Sequence, residues 1–245
     1  MKLLILGGTK DAVDLAEGAA GLPGVQVIYS LAGVTQNPNL PNCGVRQGGF
    51  GGAAGLQDYL NAETFDAVID ATHPYAAQIA RNASEACAAV NLPRLKFLRP
   101  PWTSQIGEKW EAVADIPAAV AALAGEEKRV FLAIGVKELA TFEQAAGVPF
   151  LVRYIHPPKD GGSLTNAEVI VDRGPYTVDG ERELMAKHDV GVLVSKNSGG
   201  DGASAKLIAA RELGVRVIMV DRPALPAGEV IGRQSDALTW IRELN

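Results

Sequence analysis

The stretch Phe65–Tyr75 reads FDAVIDATHPY and joins an apolar run, a polar turn and the start of a helix. The apolar run is typical of a short parallel strand that is covered on both faces. Asp70 ends the run, and Pro74 biases His73 away from helical backbone angles, so the chain is expected to turn there. From Tyr75 to Val90 the residues become alanine-rich with helical spacing. In an open α/β sheet, a strand-to-helix turn of this kind lies at the edge where ligands bind.

Two glycine-rich turns precede this stretch. Gly7-Gly8-Thr9 follows an apolar strand and leads into a predicted helix over Asp11–Ala20, and Gly48-Gly49-Phe50-Gly51-Gly52 leads into a helix over Leu56–Asn61. Such turns bring backbone N–H groups and a helix N-terminus to one point, which suits a phosphate. The first turn lacks the full Gly-x-Gly-x-x-Gly spacing, so a plain tight turn and a phosphate turn are both open. For the second turn, the pattern favours a binding loop over a hinge or a disordered tip.

Strands and helices alternate again after the polar stretch Gly125–Lys128, which we interpret as a linker. The alternation predicts an α/β protein with mostly parallel sheets. We therefore expect two Rossmann-like lobes, 1–125 and 129–245, with a cleft between them. The chain is expected to close with a helix over Ser235–Leu244 that Ser235 caps.

Composition excludes several classes of protein. The 245 residues carry a net charge of −5, which argues against nucleic acid or an anionic membrane as a partner. No apolar run reaches membrane-spanning length, and no leader pattern precedes the first strand, so we expect a cytoplasmic protein. Cys43 and Cys87 indicate neither a disulfide framework nor a metal site. His73 and His156 each precede a proline, but no third ligand is spaced to complete a metal site, so no metal is expected.

Basic residues recur in the second half at or near predicted strand ends. They are Lys137, Arg153, Arg173, Lys196, Lys206 and Arg222. Gathered at one sheet edge, they would make a positive surface for a ligand with several carboxylates or phosphates. Lys196 stands out because it precedes Asn197-Ser198-Gly199-Gly200, a turn that can form an anion-binding nest. The alternative for Lys196 is a solvated lysine on a turn.

Eight short phrases together resemble the precorrin-6A reductase family of the cobalamin pathway, and the resemblance spans nearly the whole chain. In order, they are Gly7-Gly8-Thr9, Ser30-Leu31-Ala32-Gly33, Gly48-Gly49-Phe50-Gly51-Gly52, Asp70-Ala71-Thr72-His73-Pro74-Tyr75, Arg99-Pro100-Pro101-Trp102, Arg173-Gly174-Pro175-Tyr176, Lys196-Asn197-Ser198-Gly199-Gly200 and Asp221-Arg222-Pro223. Each phrase alone is weak, whereas the ordered series is specific.

The resemblance implies two Rossmann-like lobes with the active site between them. It also implies transfer of a hydride from NADPH to a macrocyclic tetrapyrrole, which is precorrin-6A or its cobalt form, and the product is precorrin-6B. It implies that the nucleotide is held by Gly7, Gly8, Thr9, Ser30, Leu31, Ala32, Gly33, Gly48, Gly49, Phe50, Gly51, Gly52, Thr72, His73, Pro74 and Tyr75. It implies that the second lobe helps to hold the substrate, and our candidates there are Lys137, Arg153, Arg173, Lys196, Asn197, Ser198, Gly199, Gly200 and Arg222. Lys196 and His73 are the candidate catalytic residues, since reduction also needs an acid or a stabilised charge. Hand-over partners in the corrin pathway are a further expectation.

The chain departs from the family pattern at two places. Members often carry arginine after the Ser-x-Ala-Gly phrase, where this chain has Val34, so NADH stays open beside NADPH. A basic residue often follows the glycine at position 135, whereas here Lys137 comes one position later. Two other functions also remain open, namely a non-catalytic binding protein for an anionic metabolite and a Rossmann-like glycosyl- or methyltransferase.

Overall fold

The computed structural model describes residues 1–33, 38–155 and 164–245, which form two compact units. The first unit comprises Met1–Pro100 and Pro223–Asn245, and the second comprises Pro101–Arg222. Each unit contains one six-stranded sheet in which all strand pairings are parallel. The α/β class with parallel sheets is therefore confirmed.

The first sheet has the strand order β12-β5-β4-β1-β2-β3. Its strands are β1 (Lys2–Leu6), β2 (Gln26–Leu31), β3 (Gly44–Gln47), β4 (Ala67–Asp70), β5 (Arg94–Phe97) and β12 (Glu229–Ile231). Its helices are α1 (Lys10–Ala20), α2 (Ala53–Glu63), α3 (Ala77–Ala89) and α7 (Gln234–Leu244). Buried residues of α1 and α7 pack on one face of this sheet, and those of α2 and α3 pack on the other.

The second sheet has the strand order β6-β11-β10-β7-β8-β9. Its strands are β6 (Lys109–Val113), β7 (Arg129–Ala133), β8 (Phe150–Tyr154), β9 (Ala167–Val171), β10 (Val190–Lys196) and β11 (Arg216–Val220). Its α-helices are α4 (Ile116–Ala121), α5 (Val178–Lys187) and α6 (Ala205–Leu213), and 3₁₀ helices cover Val136–Gln144 and Asp201–Ala203. The segment Val136–Gln144 that follows β7 is thus the tighter 3₁₀ form rather than an α-helix.

The bounds of the units differ from the predicted lobes 1–125 and 129–245. β6 lies before the polar stretch Gly125–Lys128, yet it pairs with β11 of the second sheet, and Trp110 on β6 packs against that unit's core. At the other end of the chain, β12 pairs with β5 and α7 packs beside α1 in the first unit. The reason is that strand pairing is a long-range interaction, which local polarity does not reveal.

Ser235 is not the N-cap of the last helix, because α7 begins at Gln234 and Arg233 occupies the capping position. The Ser235 hydroxyl instead bonds the Asp236 carboxylate inside the helix. By contrast, Thr9 caps α1 as a side-chain acceptor, since its Oγ1 receives the backbone N–H of Ala12 at 3.1 Å.

Candidate functional site

The turn after β1 is packed against a tyrosine from β2. The Gly7 N–H donates to the Ser30 carbonyl at 2.8 Å, and the Gly8 N–H donates to the Tyr29 hydroxyl, also at 2.8 Å. A Cβ at Gly7 would lie 2.2 Å from the Tyr29 ring, so only glycine fits there. Gly8 has φ +115°, and no atom of the described residues lies within 4 Å of a Cβ placed on it, so these residues leave the outer side of the turn open. Burial raises the pKa of Tyr29, so its hydroxyl stays protonated.

A cavity of about 300 Å³ opens over this turn at the carboxyl ends of β1 and β2. It is lined by Gly7, Gly8, Thr9, Lys10, Val13, Tyr29, Leu31, Ala32, Gly33, Pro38 and Asn39. The N-terminus of α1, where the first backbone N–H groups have no partner within the helix, faces the same place. Glycine surfaces, a helix N-terminus and apolar walls together fit the phosphates and ribose of a nucleotide.

The second glycine-rich turn, Gly48–Gly52, is held by an arginine that precedes it. Arg46 donates from Nη1 to the Gly48 carbonyl at 2.6 Å and from Nη2 to the Gly49 carbonyl at 3.0 Å. Its guanidinium lies over the Phe50 ring, 3.9 Å from the centroid. The turn does not line the 300 Å³ cavity, and Ser30, whose side chain faces Arg46, does not line it either.

The turn after β4 is fixed by a buried ion pair. Asp70 is fully buried, and its Oδ1 accepts from the Thr72 N–H, the Thr72 hydroxyl and the Lys96 ammonium, the last at 2.9 Å. His73 then accepts the Tyr75 N–H on Nδ1 at 3.3 Å, and Pro74 is buried. The predicted Thr72–Tyr75 elbow is therefore a rigid turn outside the 300 Å³ cavity, and its rigidity depends on Lys96, which the sequence analysis missed.

In the second unit, Lys196 at the end of β10 forms an ion pair with Glu138. The Lys196 ammonium lies 2.6 Å from Glu138 Oε1, and its side chain is 14% exposed. Glu138 belongs to the 3₁₀ helix after β7, where Gly135 leaves room for the pair because a Cβ there would lie 2.6 Å from Glu138 Oε2. Lys196 is thus a positioned charge rather than a solvated lysine on a turn.

The loop Asn197–Gly200 is held by side chains of its own unit. The Asn197 amide accepts from the Trp102 N–H at 2.8 Å and donates to the Trp102 carbonyl at 3.0 Å. Arg222 donates to the Asn197 and Ser198 carbonyls, and the Trp102 indole donates to the Gly200 carbonyl at 2.9 Å. Asn197 and Arg222, both predicted to contact substrate, therefore also shape the loop.

A second cavity, of about 230 Å³, lies at the carboxyl ends of β7 and β8. It brings together Arg153, Tyr176, Glu181 and Lys206. Arg153 donates to Glu181 Oε1 at 2.8 Å and lies over the Tyr176 ring at 3.6 Å. Glu181 is 2% exposed, and its Oε2 has no hydrogen-bond partner among the described residues. Burial lowers the pKa of Lys206 to about 8, although the nearby Glu181 carboxylate opposes that shift.

The structure brings only some predicted residues together. Lys137 and Arg173 are exposed and do not line the 230 Å³ cavity, whereas Arg153 does. Tyr29 and Glu181 were missed because a tyrosine within a strand and a glutamate on a helix carry no local signal of a site. Val34 and His156 lie outside the described residues. Within the described ranges no cluster of three or more His, Cys, Asp or Glu is placed to bind a metal, and no helix is long and apolar enough to cross a membrane.

Comparison with known proteins gives a consistent result over the whole chain. Residues 2–242 match the family model described as precorrin-6x reductase CbiJ/CobK. The chain is 45% identical to the precorrin-6A reductase of Rhodobacter capsulatus over 99% of this chain and 96% of that protein. It is 43% identical to the precorrin-6A reductase of Rhodococcus erythropolis over 99% of this chain and 98% of that protein.

A solved structure described as CobK precorrin-6A reductase superposes with a TM-score of 0.93 at 45% identity, covering 100% of this chain and 97% of that one. The similarity therefore includes both sheets and the turns at their carboxyl ends. The chain belongs to the precorrin-6x reductase CbiJ/CobK family.

Proposed function

We propose that this protein is a reductase that converts precorrin-6A, or its cobalt form, to precorrin-6B in cobalamin biosynthesis, with NADPH as the reductant. The observation that carries the proposal is similarity along the entire chain to relatives named precorrin-6A reductase. An oxidoreductase with a nicotinamide cofactor follows from that family, and the choice of NADPH is part of the proposal.

We assign the nucleotide to the first unit. The 300 Å³ cavity supports this assignment, because it combines the open Gly8 turn, the N-terminus of α1 and the end of β2. When bound, the nucleotide supplies the hydride for the reduction. The chain's contribution is to orient the nucleotide on rigid turns. The Tyr29 hydroxyl holds the Gly8 N–H by a hydrogen bond, and the Asp70–Lys96 ion pair stabilises the turn that carries His73.

We assign the tetrapyrrole to the second unit. A macrocycle with acetate and propionate groups needs cationic partners, and Arg153 and Lys196 offer them at strand ends in an otherwise acidic protein. Both cations already have a carboxylate neighbour, Glu181 and Glu138 respectively, which fixes each side chain before substrate arrives. Prepositioned charge of this kind stabilises charge that develops during reaction.

The reduction adds one proton besides the hydride, and we assign its donor to Lys196 or His73. The Lys196 ammonium can donate a proton or stabilise negative charge, and Glu138 holds it in place. His73 offers an imidazole, a common acid–base group, and its Nδ1 accepts the Tyr75 N–H at 3.3 Å.

The direct test is an anaerobic assay of the purified protein with precorrin-6A, its cobalt form and NADPH. We expect NADPH oxidation that requires the tetrapyrrole, and a product heavier than the substrate by two hydrogens. With NADPH deuterated at C4 on the transferred side, the product should carry one deuterium. Binding of the tetrapyrrole with no NADPH oxidation would instead indicate a binding protein.

A thermal-shift titration distinguishes a reductase from a Rossmann-like glycosyl- or methyltransferase. A reductase should be stabilised by NADPH and not by S-adenosylmethionine or a nucleotide sugar, because ligands that bind only the native state raise its stability. Stabilisation by S-adenosylmethionine or a nucleotide sugar, without any response to NADPH or NADH, would favour a transferase.

A further inference from the structure

Arg46 lies beside the end of β2, where a Rossmann-like unit reads the ribose that carries or lacks a 2′-phosphate. In the register of the first sheet, Ser30 on β2 is paired with Arg46 on β3. The Arg46 Nη1 lies 3.4 Å from the Ser30 hydroxyl, at a side chain that is half-buried. A cation and a hydroxyl therefore lie next to each other at the strand end that decides between the two nicotinamide nucleotides.

The Arg46 guanidinium is held rigidly yet keeps donors to spare. It lies 3.9 Å from the centroid of the Phe50 ring and 5.0 Å from that of the Tyr59 ring. It also donates hydrogen bonds to the Gly48 and Gly49 carbonyls. A guanidinium has five N–H donors. Three are used by Ser30, Gly48 and Gly49, so in the described parts of the chain Nε–H and one Nη2–H have no acceptor.

The adjacent glycine turn leaves space for a ligand beside this guanidinium. A Cβ at Gly48, Gly49, Gly51 or Gly52 would have no atom of the described residues within 4 Å. Two oxygens of a phosphate beside the turn could thus accept from Nε–H and the remaining Nη2–H of Arg46, the paired geometry that makes arginine–phosphate contacts strong. Because the Arg46 side chain is already held in one position, it loses less conformational entropy when a phosphate binds.

Other cations fit this role less well. The sequence leaving β2, SLAGVT over residues 30–35, contains no lysine or arginine. Lys10 lines the 300 Å³ cavity, but it sits at the start of α1, its side chain is 80% exposed, and it is paired with Asp14. A mobile, solvated ammonium distinguishes a nucleotide with a 2′-phosphate from one without it less well than a fixed guanidinium does.

We propose that Arg46 recognises the 2′-phosphate of NADPH and so determines the preference of this protein for NADPH over NADH. The inference rests on the proposed function insofar as the first unit must hold a nicotinamide nucleotide. Arg46 acts through binding alone, so no bond is made or broken at it.

Calorimetric titration of the intact protein with two matched pairs of ligands tests the inference without any turnover. The pairs are NADPH with NADH, and adenosine 2′,5′-bisphosphate with AMP, so that each pair differs only in the 2′-phosphate. Wild type should bind the 2′-phosphorylated member more tightly. Arg46→Met should weaken that member by about 10- to 100-fold, the range for losing charged hydrogen bonds, and change the other member by less than about 2-fold.

Two further variants sharpen the result. Arg46→Lys, which keeps the charge but loses the planar fork, should fall between wild type and Arg46→Met. Arg81→Met, on the exposed side of α3 in the same unit, is the matched control and should bind all four ligands as wild type does. Thermal unfolding of each variant checks that the unit remains folded.

The outcomes separate this inference from the proposed function. If Arg46→Met lost affinity equally for both ligands of a pair, Arg46 would only shape the glycine turn, and the inference would be overturned. A preference that survives Arg46→Met but disappears in Lys10→Met would overturn it in favour of Lys10. Equal affinity of the wild type for NADPH and NADH would overturn the Arg46 inference but not the proposed reductase function. A wild type that binds no nucleotide would overturn both the inference and the proposed function.

Discussion

The carboxyl ends of the two sheets differ in how they can recognise a ligand. In the first unit the 300 Å³ cavity is formed mainly by backbone, glycine and apolar side chains, with Lys10 as its only charged lining residue among those described. In the second unit the 230 Å³ cavity contains Arg153, Glu181 and Lys206, and Lys196 forms another ion pair at the end of β10. The cavity of the first unit is thus nearly neutral, with Arg46 and the Asp70–Lys96 pair outside its lining, whereas the carboxyl edge of the second sheet is a charged edge.

The difference is consistent with the proposal that the first unit holds the nucleotide and the second holds the tetrapyrrole. Backbone N–H groups at a helix N-terminus can bind phosphate without a cation in the cavity, and the glycine turn after β1 leaves those groups accessible. Carboxylates on a macrocycle need cations, and cations at a partly buried edge need partners to be stable there before a ligand binds. The expected experimental consequence is that mutations at the two edges should affect different steps.

The largest effect is expected from Lys196→Ala. Losing an acid or a charge-stabilising group at the charged edge should lower turnover by about 10²–10⁴, while the Kd for NADPH stays nearly unchanged. Glu138 is 31% exposed, so water can solvate it once its partner is removed, and the fold should persist. Steady-state kinetics and NADPH titration measure the two quantities separately.

Lys187→Ala, at an exposed position in the last turn of α5, is the control and should retain wild-type kinetics. A rise in KM with unchanged kcat would mean that Lys196 only anchors the substrate. Wild-type turnover in Lys196→Ala would contradict its assignment to the active site.

The second effect concerns stability at the charged edge. Arg153→Met leaves the Glu181 carboxylate buried without its ion-pair partner, and breaking a buried pair costs about 3–5 kcal/mol. Chemical denaturation should therefore show a large loss in the free energy of unfolding. Arg129→Met, which removes an exposed pair with Glu168, should cost less than about 1 kcal/mol.

The double variant Arg153→Met/Glu181→Leu identifies the cause. If the cost comes from an unpaired buried charge, replacing both ions should restore most of the lost stability. A double variant as unstable as Arg153→Met alone would show that packing of Arg153 on Tyr176, rather than charge, matters at this edge.

Local sequence predicted the end of β4 at Asp70 and the glycine turns correctly, because a buried strand and a Pro-biased turn are encoded by neighbouring residues. The predicted Ser235 cap was wrong, since α7 begins one residue earlier. The sequence did not predict where β6 and β12 pair, since Lys109–Val113 and Glu229–Ile231 are short and their partners lie far along the chain. The same limit hid the partners of Arg153 and Lys196. Glu181 and Glu138 come from other elements, and only the folded sheet brings each pair together.

The third prediction concerns the pH dependence of stability at the charged edge. Burial lowers the pKa of Lys206 to about 8 in the native state, against an ordinary value near 10.5 in the unfolded chain. Below pH 8 both states are protonated and the cost of burying the ammonium is fully present. As pH rises from about 8 toward 10.5, the native state loses its proton first, so that cost is relieved and stability increases.

Relative to Lys206→Met, the wild type should therefore gain on the order of 1–3 kcal/mol between pH 7.5 and pH 10, measured by urea denaturation at each pH. Taking the difference between the two proteins removes the contributions of the tyrosines and cysteines that also titrate in this range. Parallel curves for the two proteins would contradict a lowered Lys206 pKa.

The smallest effect is expected at the Gly7 turn of the first unit, where the prediction concerns packing and involves no charge. In Gly7→Ala the new Cβ would clash with the Tyr29 ring, which also holds the Gly8 N–H, so the turn and the ring must both shift. Overpacking of this kind costs about 1–3 kcal/mol of unfolding free energy. Gly49→Ala is the matched control for stability, because its Cβ would have no described atom within 4 Å, and it should change stability by less than about 0.5 kcal/mol. Combining Gly7→Ala with Tyr29→Leu should cost less than the sum of the two single changes, since the smaller side chain removes the clash. Strict additivity would show that the Tyr29 ring is not what requires glycine at this turn.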